Sequence, residues 1–305
     1  SRKKGSETPA ELKRKHSALP LSLIGDLSIN GQKSRTEAIR YIDRSGSESR
    51  PPLFTESSRR PPPLDGNRRL LENTLMCGRF ASFSTIEEIE RHFGVQQLRT
   101  AEVQPSYNVA PTHRIVVIIN EDGERVLELM KWGLVPHWAD DPAIGYKLIN
   151  ARTESVAEKP SFKAAFQKRR CLIVNDGFFE WTGPKGNRKP LFIRPSGQTG
   201  PFAFAGLWEV WKPKDKPDAH PLRSCTILTM DAAESIRRIH HRMPVMLKPE
   251  AYGVWLNSAG IDPGDLKQMI SNQTYSDFEV TPVSPAANRP ENNDPSLLDS
   301  LFKKT

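Results

Sequence analysis

Four short stretches set reactive side chains among residues that otherwise read as strand: 76–80, 148–154, 175–181 and 239–244. Between them they supply a thiol (Cys77), a carboxamide (Asn150), a carboxyl (Glu180) and an imidazole (His240), with Arg79 and Arg152 alongside. A thiol becomes a strong nucleophile when a neighbouring base or cation raises its thiolate fraction. A carboxyl or an imidazole can move protons, and a guanidinium fork suits phosphate oxygens. Taken singly, each residue has a plainer reading. An isolated cysteine is usually a small core hydrophobe. Asn150 can cap a turn, Arg152 and Glu154 can form a surface ion pair worth little, Glu180 can face solvent on an edge strand, and of two adjacent histidines one commonly packs while the other is exposed. Asp176 can orient backbone at a turn before Gly177. Only the combination points to chemistry.

The elements that must position these groups are mostly strands. Residues 76–82 read as extended, followed by a helix over 85–93 with Ser84 as N-cap, Glu87 three residues on, and Ile86, Ile89, Glu90 and Phe93 along one stripe. Residues 114–120 and 125–131 predict a hairpin around Glu121, Asp122 and Gly123. A second hairpin is expected to join 171–181 to 189–194 through a Gly-Pro-Lys-Gly turn at 183–186. Residues 201–208 and 223–230 read as buried strands, and short helices are expected at 161–167, 232–239, 249–256 and 264–271. Many strands with interspersed short helices imply an α+β fold with a strongly curved, barrel-like, mainly antiparallel sheet.

The first 75 residues differ in kind. They hold 15 Lys and Arg against 9 Asp and Glu and end in Pro61, Pro62 and Pro63, whereas the rest holds 29 against 27. Most of the overall charge of +8 therefore sits in that stretch, which reads as a disordered basic tail. The domain is expected over 76–285, with an extension over 286–305 in which residues from 296 onward read as a short amphipathic helix. The three cysteines are far apart with no Cys-x-x-Cys pair, which argues against a disulfide scaffold and for an intracellular protein. Lys13, Arg14 and Lys15 suit a nuclear-import signal as well as a solvated charge cluster, so a nuclear location is expected. No apolar run approaches the length of a membrane span. His240 and His241 lack metal-ligand spacing and there is no phosphate-cradling glycine loop, so neither a metal nor a cofactor is expected.

Six motifs then recur in order: Met-Cys-Gly-Arg-Phe at 76–80, Ser-Tyr-Asn-Val-Ala-Pro at 106–111, Trp-Gly-Leu-Val-Pro-His-Trp at 132–138, Asn-Ala-Arg at 150–152, Asp-Gly-Phe-Phe-Glu-Trp at 176–181 and His-His-Arg-Met-Pro at 240–244. This set resembles the SOS response-associated peptidase family, whose members act as abasic site processing proteins. The likeness runs from Met76 to about Ser284. It implies that Cys77, freed as an amino-terminal residue, captures the aldehyde of an abasic site in single-stranded DNA as a thiazolidine. It further implies that Glu180 is the acid/base carboxylate, that His240 assists sugar ring opening and imine chemistry, and that Asn150 hydrogen-bonds the adduct. Arg79 and Arg152 would clamp phosphates, Trp138 and Pro111 would wedge against a base, and Asn108 would support the pocket. Phe178, on the same strand face as Glu180, suggests an apolar setting that raises the carboxyl pKa. The expected partner is single-stranded DNA with abasic sites, bound by a monomer.

The sequence departs from that pattern at the front, because 76 residues precede Cys77 and an internal peptide nitrogen cannot form an imine. Met76 can be the true start, the chain can be cleaved before Cys77, or the protein can be a descendant that no longer crosslinks. Three functions follow: covalent capture of abasic sites, a cysteine peptidase whose main event is self-cleavage, and a non-covalent reader of modified DNA bases.

Overall fold

The computed structural model describes residues 77–100, 102–184, 186–216, 218–257 and 262–302. The basic tail, the import-like cluster, Met76 and the end of the expected C-terminal helix lie outside them. Two sheets carry the architecture. The smaller contains β1 (Phe80–Ser82), β3 (Ser106–Val109), β8 (Gly177–Thr182), β9 (Lys189–Pro195) and β14 (Phe278–Pro282), in the order β14-β9-β8-β1-β3. The larger runs β12-β11-β10-β7-β4-β5-β2, from β2 (Gln97–Leu98), β4 (Arg114–Glu121), β5 (Glu124–Trp132), β7 (Arg170–Asn175), β10 (Phe202–Trp211), β11 (Leu222–Asp231) and β12 (Arg242–Pro244). Two short strands join it: β6 (Asn150–Arg152) on β11 and β13 (Met246–Leu247) on β10.

A parallel pairing of β11 with β5, at Ser224↔Lys131 and Cys225↔Trp132, closes β11, β10, β7, β4 and β5 into a ring. The curved, barrel-like α+β fold expected from the sequence is thus present. Alternation along the strands divides the apolar residues between two cores. On β4, Val116 and Ile118 pack with Ile89, Phe93, Phe166 and Trp255 of the helices. Ile115, Val117 and Ile119 pack instead with Phe80, Phe178 and Ile193 of the smaller sheet. Helices cover one face of the ring, and the smaller sheet covers the other.

Local signals placed most elements. The first hairpin turns at Asp122 and Gly123 as expected. The helices α1 (Ile86–Phe93), α2 (Lys163–Lys168), α3 (Pro249–Leu256) and α4 (Pro263–Asn272) fall close to their predicted spans. The N-cap of α1 is Thr85 rather than Ser84, in a reciprocal capping box with Glu88; Ser84 is held elsewhere, by Asp176. The helix expected over 232–239 is a run of turns. The stretch 171–181 is two strands in different sheets, β7 and β8, broken at Asp176. Asp176 accepts from the backbone N–H of Phe83 at 2.6 Å and of Ser84 at 3.0 Å, and from the Ser84 hydroxyl at 2.5 Å. Gly177 follows with φ of 153°, and a Cβ there would lie 2.2 Å from the Phe192 ring, so only glycine fits the crossing.

The C-terminal residues are part of the fold. The 3-10 turns Pro285–Asn288 and Pro295–Leu298, then α5 (Asp299–Phe302), lie on the smaller sheet. Ala287, Leu297 and Leu298 share a core with Ala81, Phe179 and Phe192. No helix among the described residues is long and apolar enough to cross a membrane.

Candidate functional site

Cys77 and Glu180 meet at the entry to β1. Phe80 pairs with Phe178 across β1 and β8, so Glu180 lies two residues further along the neighbouring strand. The backbone nitrogen of Cys77 donates to Glu180 Oε1 at 3.3 Å, and the Cys77 thiol hydrogen-bonds the same carboxyl. One carboxyl therefore touches both the nitrogen and the sulfur of a single residue. Cys77 is buried and held at a φ of 49°, a left-handed conformation that costs a non-glycine residue free energy. Such outliers persist where the surroundings fix them, and here the partner is Glu180.

Burial sets the protonation states. It raises the Glu180 carboxyl to about 7, against the opposing effect of the hydrogen bonds from Cys77. This is the direction its apolar strand neighbours suggest. Burial, followed by the Glu180 charge and hydrogen bond, pushes the Cys77 thiol well above its usual range; the Arg242 guanidinium offsets part of this. Near neutral pH the thiol is thus protonated while the carboxyl is shared between its two forms. Cys171 and Cys225 are fully buried core residues whose thiols burial also pushes up.

The remaining residues gather around the end of β11. Asn150 begins β6, which pairs in parallel with β11 at Ile227↔Asn150 and Thr229↔Arg152. Strand β12 pairs with the same end at Asp231↔Arg242. Buried Arg242 ties these strands together: its guanidinium bonds both oxygens of Glu154 (2.5 and 3.0 Å), Asp231 (2.7 Å) and the Thr229 carbonyl (2.8 Å). Burial alone would lower the Arg242 pKa, but the bonds to Glu154 and Asp231 raise it overall. Glu154 is therefore the partner of Arg242, not of Arg152, which is exposed. His240 stands two residues before Arg242 and stacks on His241 at 4.5 Å. Its Nδ1 lies 3.0 Å from the Arg242 N–H and 3.1 Å from the Arg242 carbonyl. Nδ1 accepts from that N–H when the ring proton is on Nε2 and donates to the carbonyl when Nδ1 carries a proton.

The other candidates fall into two groups. Arg79 Nη1 donates to Asn108 Oδ1 (2.8 Å) and to the Ala287 carbonyl (3.1 Å), and the guanidinium lies 5.6 Å from the centre of the Trp181 ring. Asn108 is buried, and its amide donates to the carbonyls of Arg289 and Asn292. Both residues thus hold the C-terminal segment beneath the site. Trp138, by contrast, is 43% exposed. Its loop is anchored on both sides: His137 reaches Glu209 at 3.4 Å, and the Ala139 carbonyl accepts from the Trp211 indole at 2.7 Å. Pro111, half-buried, lies in the turn that follows β3.

The sequence reading missed the network of Arg242, Glu154 and Asp231, whose members lie 88 and 11 residues apart. The arginine within the His-His-Arg-Met-Pro motif was the available signal. Among the described residues no group of three or more His, Cys, Asp or Glu could hold a metal ion.

Comparisons with known proteins place the chain in a family. The chain is 42% identical over 228 residues to abasic site processing protein YoqW of Bacillus subtilis, covering 74% of this chain and all of that one. It is 32% identical over 231 residues to abasic site processing protein HMCES of Gallus gallus, covering 66% and 68%. A Bacteroides thetaiotaomicron protein of known structure shares the fold, with a TM-score of 0.63 at 23% identity over 73% of this chain and 98% of that chain. Residues 76–290 match the family described as SOS response associated peptidase (SRAP). With a family match across most of its length and YoqW aligned over its whole length, the chain belongs to the SRAP family.

Proposed function

We propose that this protein processes abasic sites in DNA by covalent capture through Cys77, once that residue carries a free α-amine. The observation that carries the reading is the contact of Glu180 with both the nitrogen and the thiol of Cys77. An abasic deoxyribose in its open form presents an aldehyde. The amine adds to the aldehyde carbon, and loss of one water leaves an imine. The sulfur then adds to the imine carbon while the nitrogen takes up a proton, closing a thiazolidine ring. Each step moves a proton at an atom next to Glu180. A carboxyl titrating near 7 can take a proton from the ammonium, return one to the departing water, and accept the thiol proton as the ring closes. Because the thiol is held protonated, the amine reacts first. His240 assists opening of the sugar ring, and Asn150 hydrogen-bonds the adduct. Arg152 and the exposed Trp138, with Pro111, engage the single strand; Arg79 and Asn108 fix the backbone behind Cys77.

The same contact favours self-processing as the route to a free amine. In hydrolysis of the bond before Cys77, water adds to the carbonyl carbon and the departing nitrogen needs a proton. Glu180 lies 3.3 Å from that nitrogen. The test compares a chain starting at Cys77, the full chain and Cys77→Ala against a single-stranded oligonucleotide bearing one abasic site. The expected product from the Cys77 start survives denaturing gels, with a mass equal to protein plus DNA less one water. An adduct of equal yield in Cys77→Ala, or none from the Cys77 start, overturns the reading.

A further inference from the structure

Residues 133–149 leave the larger sheet at the end of β5 and return to it at Asn150 of β6, and the two ends of this loop close on each other. The Leu134 N–H donates to the Leu148 carbonyl at 3.1 Å, and the Gly133 N–H to the Cys225 carbonyl at 2.9 Å. Gly133 and Gly145 meet backbone to backbone: a Cβ on either would lie 2.7 Å from the carbonyl oxygen of the other. Beyond this neck the loop is gripped at every second residue. The Val135 N–H donates to Ser224 Oγ at 2.9 Å, His137 Nδ1 lies 3.4 Å from Glu209 Oε2, and the Ala139 carbonyl accepts from the Trp211 indole N–H at 2.7 Å. Val135, Ala139 and Trp211 share a small core, with Ile144 and Leu222 packed against it. Glu209, 5% exposed, is itself held by Arg169 Nη2 at 2.7 Å and by the Val210 N–H at 3.0 Å.

Glu209 and Trp211 stand two residues apart on β10, hence on one face of the strand. They grip the two residues that flank Trp138, whose own ring is left 43% exposed. We propose that Glu209 and Trp211 are positioning residues, which hold Trp138 outside the fold as a preset face for stacking on a base of the bound strand. The proposal rests on the reading given above for the DNA and for the engagement of Trp138 with it. Neither Glu209 nor Trp211 is assigned a contact with the strand. A ring fixed in advance loses less freedom on stacking than a mobile one, so the clamp sets affinity.

The test uses the full chain and a single-stranded oligonucleotide without any abasic site, with a 2-aminopurine base as reporter of stacking and anisotropy as the measure of binding. Trp138→Ala is expected to weaken binding about tenfold and to abolish the quenching of the reporter, as loss of a stacked base does. Trp211→Phe keeps the ring and loses the N–H; it is expected to weaken binding about fivefold and to reduce the quenching. The double variant W138A/W211F is expected to bind no more weakly than Trp138→Ala, because the second change acts only through the first. Glu209→Gln, combined in the same way with Trp138→Ala, repeats the cycle without touching the small core. Effects that multiply in both double variants overturn the proposal, since they place Glu209 and Trp211 on a path that bypasses Trp138. So does parental binding in both Trp211→Phe and Glu209→Gln. Parental binding in Trp138→Ala removes the stacking role itself, and the clamp with it. This strand carries no aldehyde, so none of these outcomes bears on covalent capture and the two readings fail separately.

Discussion

Burial lifts the Glu180 carboxyl from 4.5 to about 7, and linkage turns that rise into a statement about stability. The unfolded chain ionises at the lower value, so between the two the folded protein binds more protons. The contribution to stability is complete below the unfolded pKa and is lost as pH rises through 7. The rise corresponds to about 3 kcal/mol. Glu180→Gln removes the penalty while keeping the shape. It is expected to melt above the parent protein at pH 8 and close to it at pH 4; an equal difference at both values would refute the linkage. The same variant should slow adduct formation on an abasic oligonucleotide by about 100-fold or more. In the parent the rate should climb as pH rises through about 7, where the carboxylate becomes available to accept protons. On the proposed mechanism Glu180 trades stability for reactivity. At this scale the sequence was informative about residue types: Phe178 and the flanking apolar positions foretold a raised carboxyl. It could not reveal that the carboxyl reaches across 103 residues to Cys77, because that contact depends on the register between β1 and β8.

Among the elements, the break between β7 and β8 matters most for the site, since it carries Glu180 out of the ring and beside β1. A hydrophobic pattern through 171–181 reads as one strand, and the switch is made by a single buried carboxylate. Asp176 accepts three hydrogen bonds from residues 92 and 93 positions away, which no local pattern encodes. Burial raises its pKa while those bonds oppose the rise. Asp176→Ala leaves two backbone N–H groups and a hydroxyl without their acceptor and is expected to cost about 2–4 kcal/mol in chemical denaturation. A cost below about 0.5 kcal/mol, the size of an ordinary surface substitution, would show that the crossing is held by Gly177 and packing alone. The helices were legible for the opposite reason. Capping and proline at the first turn are local signals: α3 and α4 both begin on proline, and Asp262 caps α4. The turn run over 232–239 defeats the same logic because Ile236 and Ala232 are buried by tertiary packing, not by a helical stripe.

For the molecule as a whole, two long-range closures were invisible in the sequence: the parallel joining of β11 to β5, and the return of residues 284–302 onto the smaller sheet. The second can be removed. Ending the chain at Ser284 deletes Leu297 and Leu298 from their core, uncovers Phe179 and Phe192, and deprives Arg79 and Asn108 of partners. Two buried leucines alone account for about 3–6 kcal/mol. For a domain of this size that corresponds to a fall in melting temperature on the order of 10 °C. The shortened chain should also capture abasic DNA more slowly at temperatures where it is folded, because the strand that follows Cys77 is braced through Arg79. A melting temperature unchanged on truncation would show that the segment is an appendage.

The position of Cys77 has one more consequence. It leads into β1, an interior strand with β8 on one side and β3 on the other. Its nitrogen donates its N–H to Glu180, and on the proposed mechanism the remaining bond goes either to a preceding carbonyl or to a sugar carbon. On the capture reading proposed above, maturation and capture are mutually exclusive uses of one bond. If that reading holds, a cell with both forms would possess a dormant reserve armed by a single irreversible cut.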